Sequence, residues 1–247
     1  MPQPEAHQQP IARGAPPGPR GRLRPWPLTG LLLAALGFWL FGTIAAEFHE
    51  HPGTWLDARF TRFGETVRDA GLAGMFAVLT WAGDTLVVVP LGLAAALLLA
   101  VRFRTWVPPV LVAIASAGIG VLVGVLKNGI SRPRPNPAAA VVEESGFGFP
   151  SGHSANSAAV YLLLAVVSAL LLRDRSRRDP TRDRHAALWS VLVIGAVLVV
   201  LAVGLSRVVL GVHAATDVLA GWALGTSWCL VLASLWRWGR AVRSPGG

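Results

Sequence analysis

Six long apolar segments constrain the fold of this chain more than any other feature. Each is about 18 to 24 residues long and nearly free of charge, which is the length that a helix needs to cross the hydrocarbon core of a bilayer. Of the 247 residues, 53% are hydrophobic and 14% are charged, whereas soluble domains carry roughly 25% charged residues. The pattern predicts an all-α polytopic membrane protein, a six-transmembrane-helix bundle, and excludes an ordinary soluble domain.

The predicted spans cover residues 28–47, 85–102, 107–127, 154–172, 187–205 and 212–235. The mixed segment 55–83 is too polar for a seventh span. We expect one or two short helices there, lying near the membrane–water interface on the outer side. Residues 1–27 hold eight of the 18 prolines and are predicted to be a disordered cytoplasmic tail. Residues 28–238 then form one six-span domain, and 239–247 form a cytoplasmic C-terminal tail.

Lysine and arginine are distributed unevenly between the two predicted sides of the membrane. With the N-terminus inside, 15 of the 22 lie on the inner side and seven on the outer side. Because positive charge favours the cytoplasmic side, we expect a multi-pass protein of the cytoplasmic (inner) membrane with both termini in the cytoplasm. The net charge of +9 then reflects topology and contact with lipid head groups, and we expect no nucleic-acid partner.

Small residues recur at four-residue spacing in two of the predicted spans. They are Ser116, Gly120 and Gly124 in the third span, and Gly221 and Gly225 in the sixth. Small residues let helix backbones approach closely in lipid, so both faces are predicted to contact neighbouring helices. Lys127 follows Gly124 by three residues, which predicts that its side chain points into the bundle.

Three clusters of polar residues lie at the outer ends of predicted spans. They are Lys127-x6-Arg134-Pro135, Pro150-Ser151-Gly152-His153 and Ser206-Arg207-x5-His213-x3-Asp217. Lysine suits phosphate oxygens as a point charge, and arginine suits them as a planar fork of N–H donors. Because all three clusters fall on one side of the predicted topology, we expect them to form one phosphate-handling pocket with its opening at the membrane surface.

The second and third clusters add groups that suit catalysis. The backbone N–H groups of Ser151 and Gly152, at the start of a predicted helix, are placed to bind an anion. His153 follows in the first turn, where it can donate a proton. His213 and Asp217 are four residues apart, so on one helix they share a face. A carboxylate beside an imidazole is an arrangement that activates nucleophiles.

Together the three clusters resemble, in order and spacing, the signature motifs of the type-2 phosphatidic acid phosphatase (lipid phosphate phosphatase) superfamily, in its bacterial membrane branch. The resemblance covers about residues 85–235 and shows no departure at the motif positions. It implies a six-span architecture and hydrolysis of a lipid phosphate without a metal. Residues 1–27 and 50–84 lie outside the signature.

The resemblance also implies a role for each matching residue. His213 is expected to be the nucleophile that forms a phosphohistidine, with Asp217 orienting it. His153 is expected to be the acid that protonates the leaving group. The phosphate clamp is expected to comprise Lys127, Arg134, Ser151, Gly152 and Arg207.

We expect no cofactor and no bound metal, because the three clusters contain one carboxylate, which is too few for Mg²⁺. A second polar group consists of Glu47, His49, Glu50 and His51. Its spacing does not match a strong metal site, and a polar edge after the first span is the better interpretation. Arg132 has two interpretations, as a ligand of a second phosphate or as the partner of an acid such as Glu143 or Glu144.

The sequence therefore predicts an integral membrane phosphoric ester hydrolase that acts on a lipid phosphomonoester or diphosphate at the outer membrane face. Candidate substrates are phosphatidate, phosphatidylglycerol phosphate and a polyprenyl diphosphate such as undecaprenyl pyrophosphate. The expected partners are this lipid substrate and the surrounding membrane lipids. Two alternatives stay open, a phosphatase of a soluble or sugar phosphate and a non-enzymatic transporter. Transport is disfavoured because the charges cluster at one membrane face and not at the midplane.

Overall fold

A computed structural model describes residues 26–50, 53–135, 140–176 and 182–243 of the chain. Within those ranges the secondary structure is helical and contains no strand. The α-helices are α1 (Trp26–Glu50), α2 (Trp55–Asp69), α3 (Ala73–Leu79), α4 (Thr85–Phe103), α5 (Val107–Ile130), α6 (Gly152–Ser176), α7 (Arg182–Val209) and α8 (Ala215–Arg243). A 3₁₀ turn, Thr80–Gly83, joins α3 to α4. The all-α prediction is confirmed.

Six of the described helices are long and apolar enough to cross a membrane, which confirms the six predicted spans. They are Trp26–Glu47, Thr85–Phe103, Val107–Ile130, Gly152–Asp174, Ala187–Val209 and Ala215–Arg240. The predicted spans differ from these only near their ends. Of the predicted tails, residues 1–25 and 244–247 lie outside the described residues, as does His51 of the acidic and histidine-rich group.

Helices α6 and α8 form the centre of the bundle. Their spanning windows are 67% and 61% buried, whereas the other four are 17–22% buried. The two helices approach closely at the predicted small residues. A Cβ at Gly221 would lie 2.6 Å from the Ser151 backbone oxygen, and one at Gly225 would overlap the Ala155 backbone oxygen. The packing prediction for this face is confirmed.

The predicted packing face of α5 is wrong. Nothing lies within 4 Å of a Cβ placed at Gly120 or Gly124. The buried face, one position away, carries Ala115, Ile119 and Val123, because larger apolar side chains fill the groove beside α6 and α8. Lys127 follows Val123 by four residues and therefore shares this inward face.

Helices α2 and α3 and the 3₁₀ turn lie across the end of the bundle where the polar clusters are, which confirms the predicted short helices between the first two spans. A capping box begins α2, in which Thr54 Oγ1 accepts a hydrogen bond from the Asp57 N–H at 3.1 Å. Farther along α2, Arg68 Nη1 donates to the Val209 backbone oxygen at 2.6 Å. Phe76 of α3 packs on Val209 in a small apolar core. These contacts fix the segment against the end of α7.

Candidate active site

The loop between α7 and α8 carries the histidine of the third cluster. The prediction that His213 and Asp217 lie on one helix is wrong, because His213 precedes the start of α8 at Ala215. The two side chains still meet, with His213 Nδ1 at 3.4 Å from Asp217 Oδ2. The same carboxylate oxygen accepts a hydrogen bond from the Ala214 N–H at 2.9 Å. Both residues are buried, so the loop holds the imidazole in one position.

The second imidazole nitrogen of His213 contacts an arginine. Arg134 Nη1 lies 3.2 Å from His213 Nε2. A guanidinium has no acceptor, so this contact is a hydrogen bond only when Nε2 lacks a proton. The neutral imidazole then carries its proton on Nδ1, which faces Asp217. In this tautomer the lone pair of Nε2 points towards Arg134.

The environment keeps His213 neutral at physiological pH. Burial lowers the pKa of His213 to about 4, with Asp217 opposing this shift and the positive charges of Arg207 and Arg134 adding to it. A neutral imidazole is the state that can attack phosphorus, through the Nε2 lone pair that Arg134 contacts here.

Two arginines converge on one carboxylate in the loop between α5 and α6. Glu144 accepts a short hydrogen bond from Arg207 Nη2 and lies 3.4 Å from Arg134 Nη2. Burial opposes ionisation of Glu144, yet the charges of Arg207, His153 and Arg134 lower its pKa below the usual range. The structure thus has an anion position between two guanidinium groups, beside His213.

Arg207 is almost completely enclosed, with 1% of its surface exposed. Its Nη1 donates to Thr80 Oγ1 of the 3₁₀ turn at 2.7 Å. Its Nε is buried and has no hydrogen-bond partner among the described residues. A buried donor without a partner is costly, and here it belongs to the side chain that holds the anion position.

The basic residues of the first cluster fasten the loop that carries Glu144. Lys127 Nζ donates to the Phe147 backbone oxygen at 2.8 Å. Arg134 donates to the backbone oxygens of Gly146 at 3.2 Å and Ser145 at 3.1 Å. Its Nη1 also donates to the Val212 backbone oxygen at 2.9 Å. Arg134 therefore joins this loop to the loop of His213.

The second cluster lies at the start of α6. The Ser151 N–H donates to the backbone oxygen of Asp217 at 3.0 Å, so in this structure that donor connects the second cluster to the third. Gly152 begins α6, and a Cβ there would meet only Val123, at 3.7 Å. His153 Nε2 lies 4.0 Å from Asp84 Oδ2. This carboxylate lies on the side of Nε2, where it can orient the imidazole of His153.

The sequence patterns did not point to Asp57 or Asp84 as site residues, and they left the partner of Arg132 open. Arg132 pairs with Asp57 at 3.1 Å and Asp217 at 2.6 Å, and not with Glu143 or Glu144. Thr54-x-x-Asp57 has the spacing of a capping box, which predicts a helix start but not a long-range ion pair. Asp84 similarly reads as the N-cap of α4, a role it also performs by accepting from the Leu86 N–H at 2.7 Å.

Comparison with known proteins identifies the family. Residues 106–241 match the family model of the PAP2 superfamily. The chain belongs to the PAP2 superfamily. It is 34% identical over 188 residues to phosphatidylglycerophosphatase B of Bacillus subtilis (strain 168), a match that covers 76% of this chain and 87% of that protein.

A solved structure agrees with this assignment. The crystal structure of the first transmembrane PAP2 type phosphatidylglycerolphosphate phosphatase from Bacillus subtilis superposes with a TM-score of 0.68 at 28% identity. The match covers 89% of this chain and 98% of that one. This PAP2 protein is thus a multi-pass membrane phosphatase that hydrolyses phosphoric esters, and the transporter alternative is wrong. In the ranges that the structure describes, no three His, Cys, Asp or Glu side chains form a group that could hold a metal ion.

Proposed function

We propose that this PAP2 phosphatase removes the phosphate of a lipid phosphomonoester through a phosphohistidine on His213, with phosphatidylglycerol phosphate as the first candidate substrate. One observation carries the proposal. Arg134 contacts Nε2 of His213 and, together with Arg207, holds a single carboxylate, that of Glu144. A substrate phosphate is also an oxyanion, and guanidinium groups bind it in the same way. The name of the Bacillus subtilis relative supports the choice of lipid.

In the first half-reaction, Nε2 of His213 attacks the phosphorus and forms an N–P bond. The P–O bond to the lipid breaks on the opposite side, and its electron pair goes to the departing oxygen. His153 donates a proton to that oxygen, so that an alcohol leaves. Asp217 stabilises the positive charge that develops on the imidazole.

In the second half-reaction, water attacks the phosphorus of the phosphohistidine. The neutral His153 accepts a proton from this water, the N–P bond breaks, and inorganic phosphate leaves. Arg134, Arg207 and Lys127 stabilise the negative charge on the equatorial oxygens in both steps. The Gly152 N–H is assigned to the same clamp, whereas the Ser151 N–H that was expected there donates to the Asp217 backbone oxygen instead. The Glu144 carboxylate leaves the anion position when substrate enters. No step requires a metal.

The location of the site supports a lipid substrate. The proposed catalytic groups lie at the end of α5, the start of α6, the end of α7 and the start of α8. At this end of the bundle a lipid can present its head group while its chains stay in the bilayer. From the distribution of lysine and arginine, this end is assigned to the outer face of the cytoplasmic membrane, with both termini inside.

The substrate assignment is tested by comparing three lipids with one soluble ester. The purified protein in detergent is given phosphatidylglycerol phosphate, phosphatidate, undecaprenyl pyrophosphate and glycerol 3-phosphate, and released phosphate is measured. We expect kcat/KM to be highest for phosphatidylglycerol phosphate and lowest for glycerol 3-phosphate, with EDTA present throughout. Equal rates on the soluble ester, or activity that needs an added divalent cation, would contradict the proposal. His213→Ala provides the inactive control.

A further inference from the structure

We infer that Asp57, on the short helix α2, is a positioning residue for the reaction, and that it acts through Arg132 on the Asp217–His213 pair. The inference rests on the proposed function, because it concerns the charge and orientation of the carboxylate that supports the attacking imidazole. Asp57 lies outside the three polar clusters, and among the described elements α2 is the only helix outside the spans that supplies an ion pair to them.

Asp57 is buried, with 7% of its surface exposed, in spite of its place on a short polar helix. Its Oδ1 accepts from the Thr216 N–H and from Thr216 Oγ1, both at 2.9 Å. Its Oδ2 accepts from Arg132 Nη2 at 3.1 Å. Thr216 immediately precedes Asp217, so Asp57 holds both the backbone before the catalytic carboxylate and the arginine beside it.

Arg132 spans the distance between the two carboxylates. Its Nη1 donates to Asp217 Oδ1 at 2.6 Å, while its Nη2 donates to Asp57. Asp217 Oδ2 is used by the Ala214 N–H and by His213 Nδ1. Both oxygens of Asp217 are therefore fixed by donors, and the one away from the histidine is fixed by an arginine that Asp57 orients.

Charge gives this arrangement a consequence for catalysis. Burial opposes ionisation of Asp57, but the Thr216 hydrogen bonds and the Arg132 charge lower its pKa, so Asp57 is negative at neutral pH. It shares the Arg132 charge with Asp217. Without Asp57, more of the guanidinium charge faces Asp217 and reduces the stabilisation that Asp217 gives to a positive imidazole. Because that charge appears during the attack, the loss should affect kcat more than KM.

A structural role for Asp57 makes a different prediction. Asp57 also belongs to the capping box with Thr54, and its bonds to Thr216 fasten α2 to α8. If these contacts alone mattered, replacing Asp57 would lower the stability of the protein and would leave the kcat of the folded enzyme unchanged. A double-mutant cycle between Asp57 and Arg132, measured in kcat, therefore separates positioning from folding.

The experiment measures kcat and KM of D57N, R132Q and the D57N/R132Q double variant on phosphatidylglycerol phosphate in mixed micelles. We expect D57N to lower kcat about tenfold, with KM changed by less than about twofold, since residues in one hydrogen-bonded network couple to this extent. The double variant should be no slower than R132Q, because asparagine keeps an oxygen that can accept from the Thr216 N–H, and the charge that it loses acts on Asp217 through Arg132. An equal factor in both backgrounds, or a change confined to KM, would overturn the inference.

Two control variants lie on the same helix or at its N-cap. D69N makes the same charge change at an exposed position of α2, and T54A removes the helix cap while leaving Arg132 untouched. Both should retain the wild-type kcat, and a loss in either that equals the loss in D57N would count against the inference. If D57N does not fold, as judged by gel filtration, R132K replaces it. Lysine keeps the charge but has no fork to reach both carboxylates, so a wild-type kcat in R132K would refute the network.

Phosphoenzyme labelling keeps this result distinct from a failure of the proposed function. Acid-quenched labelling of wild type and H213A with ³²P-labelled lipid tests whether His213 carries the phosphate. A labelled H213A refutes the proposed function. An unlabelled H213A together with a normal kcat in D57N refutes only the role of Asp57.

Discussion

Replacing Glu144 by glutamine should strengthen the binding of phosphate to the free enzyme. Glu144 now occupies the anion position between Arg207 and Arg134, so an entering phosphate must displace it. A charged hydrogen bond contributes about 1.5–3 kcal/mol in a buried site. Because 27% of the Glu144 side chain is exposed, the lower end of that range applies, and about 1.4 kcal/mol corresponds to a tenfold change in affinity.

The assay is competitive inhibition by inorganic phosphate and by vanadate, measured with p-nitrophenyl phosphate as a soluble substrate. In E144Q the inhibition constants should fall about tenfold, because glutamine keeps the size of the side chain but not the negative charge. E143Q is the matched control, since Glu143 is exposed and adjacent, and its constants should stay at the wild-type values. Unchanged or weaker inhibition in E144Q would show that the carboxylate does not occupy the phosphate position.

Four further outcomes are expected. H213A should form no phosphoenzyme, whereas H153A should form it slowly from a lipid and at a nearly normal rate from p-nitrophenyl phosphate, whose leaving group needs little protonation; rapid-quench labelling measures both rates. Because the pKa of His213 is about 4 when folded and about 6.5 when unfolded, the unfolded chain binds the extra proton between these values. The contribution of neutral His213 to the free energy of unfolding is therefore complete above pH 6.5 and decreases as the pH falls towards 4. Thermal unfolding in detergent should show this loss of stability at low pH, and the loss should be smaller in H213A. G221V should destabilise the protein by about 3 kcal/mol through its clash with a backbone oxygen, while G120V, at an open position, should unfold at the wild-type temperature. A periplasmic-active reporter should be active when inserted near Asn136 and silent when fused after Gly247, and the reverse pattern would refute the outward-facing assignment.

The spans and the meeting of the three polar clusters could be predicted because each follows from a local rule. In lipid every backbone polar group must be satisfied within the segment, so long apolar runs must be helices. His213 and Asp217 meet even though His213 is not helical, because the loop before α8 brings His213 Nδ1 within 3.4 Å of Asp217 Oδ2. Arg134 of the first cluster reaches His213 of the third, as expected for clusters that share one pocket.

The remaining features depend on contacts that spacing does not encode. Asp57 meets Thr216 across 159 residues of sequence, and its local pattern predicts only a helix cap. The packing face of α5 depends on which of two adjacent rows of side chains fits its neighbours, and the small residues at Gly120 and Gly124 suggested the wrong row. Glu144 could be predicted as an acid near Arg132, but the arginines that it contacts are Arg207 and Arg134.

The exposed tryptophans near the site have a consequence for the kinetics of the enzyme. Beside the catalytic groups, the segment between the first two spans exposes Trp55 and Trp81, which are 76% and 63% exposed, and tryptophan favours the membrane–water interface. For the proposed lipid substrate, this placement predicts an approach to His213 by lateral diffusion within the leaflet. The concentration that governs the rate is then a mole fraction in two dimensions. Diluting the substrate with inert lipid should slow turnover by surface dilution even when the amount of substrate per volume is unchanged.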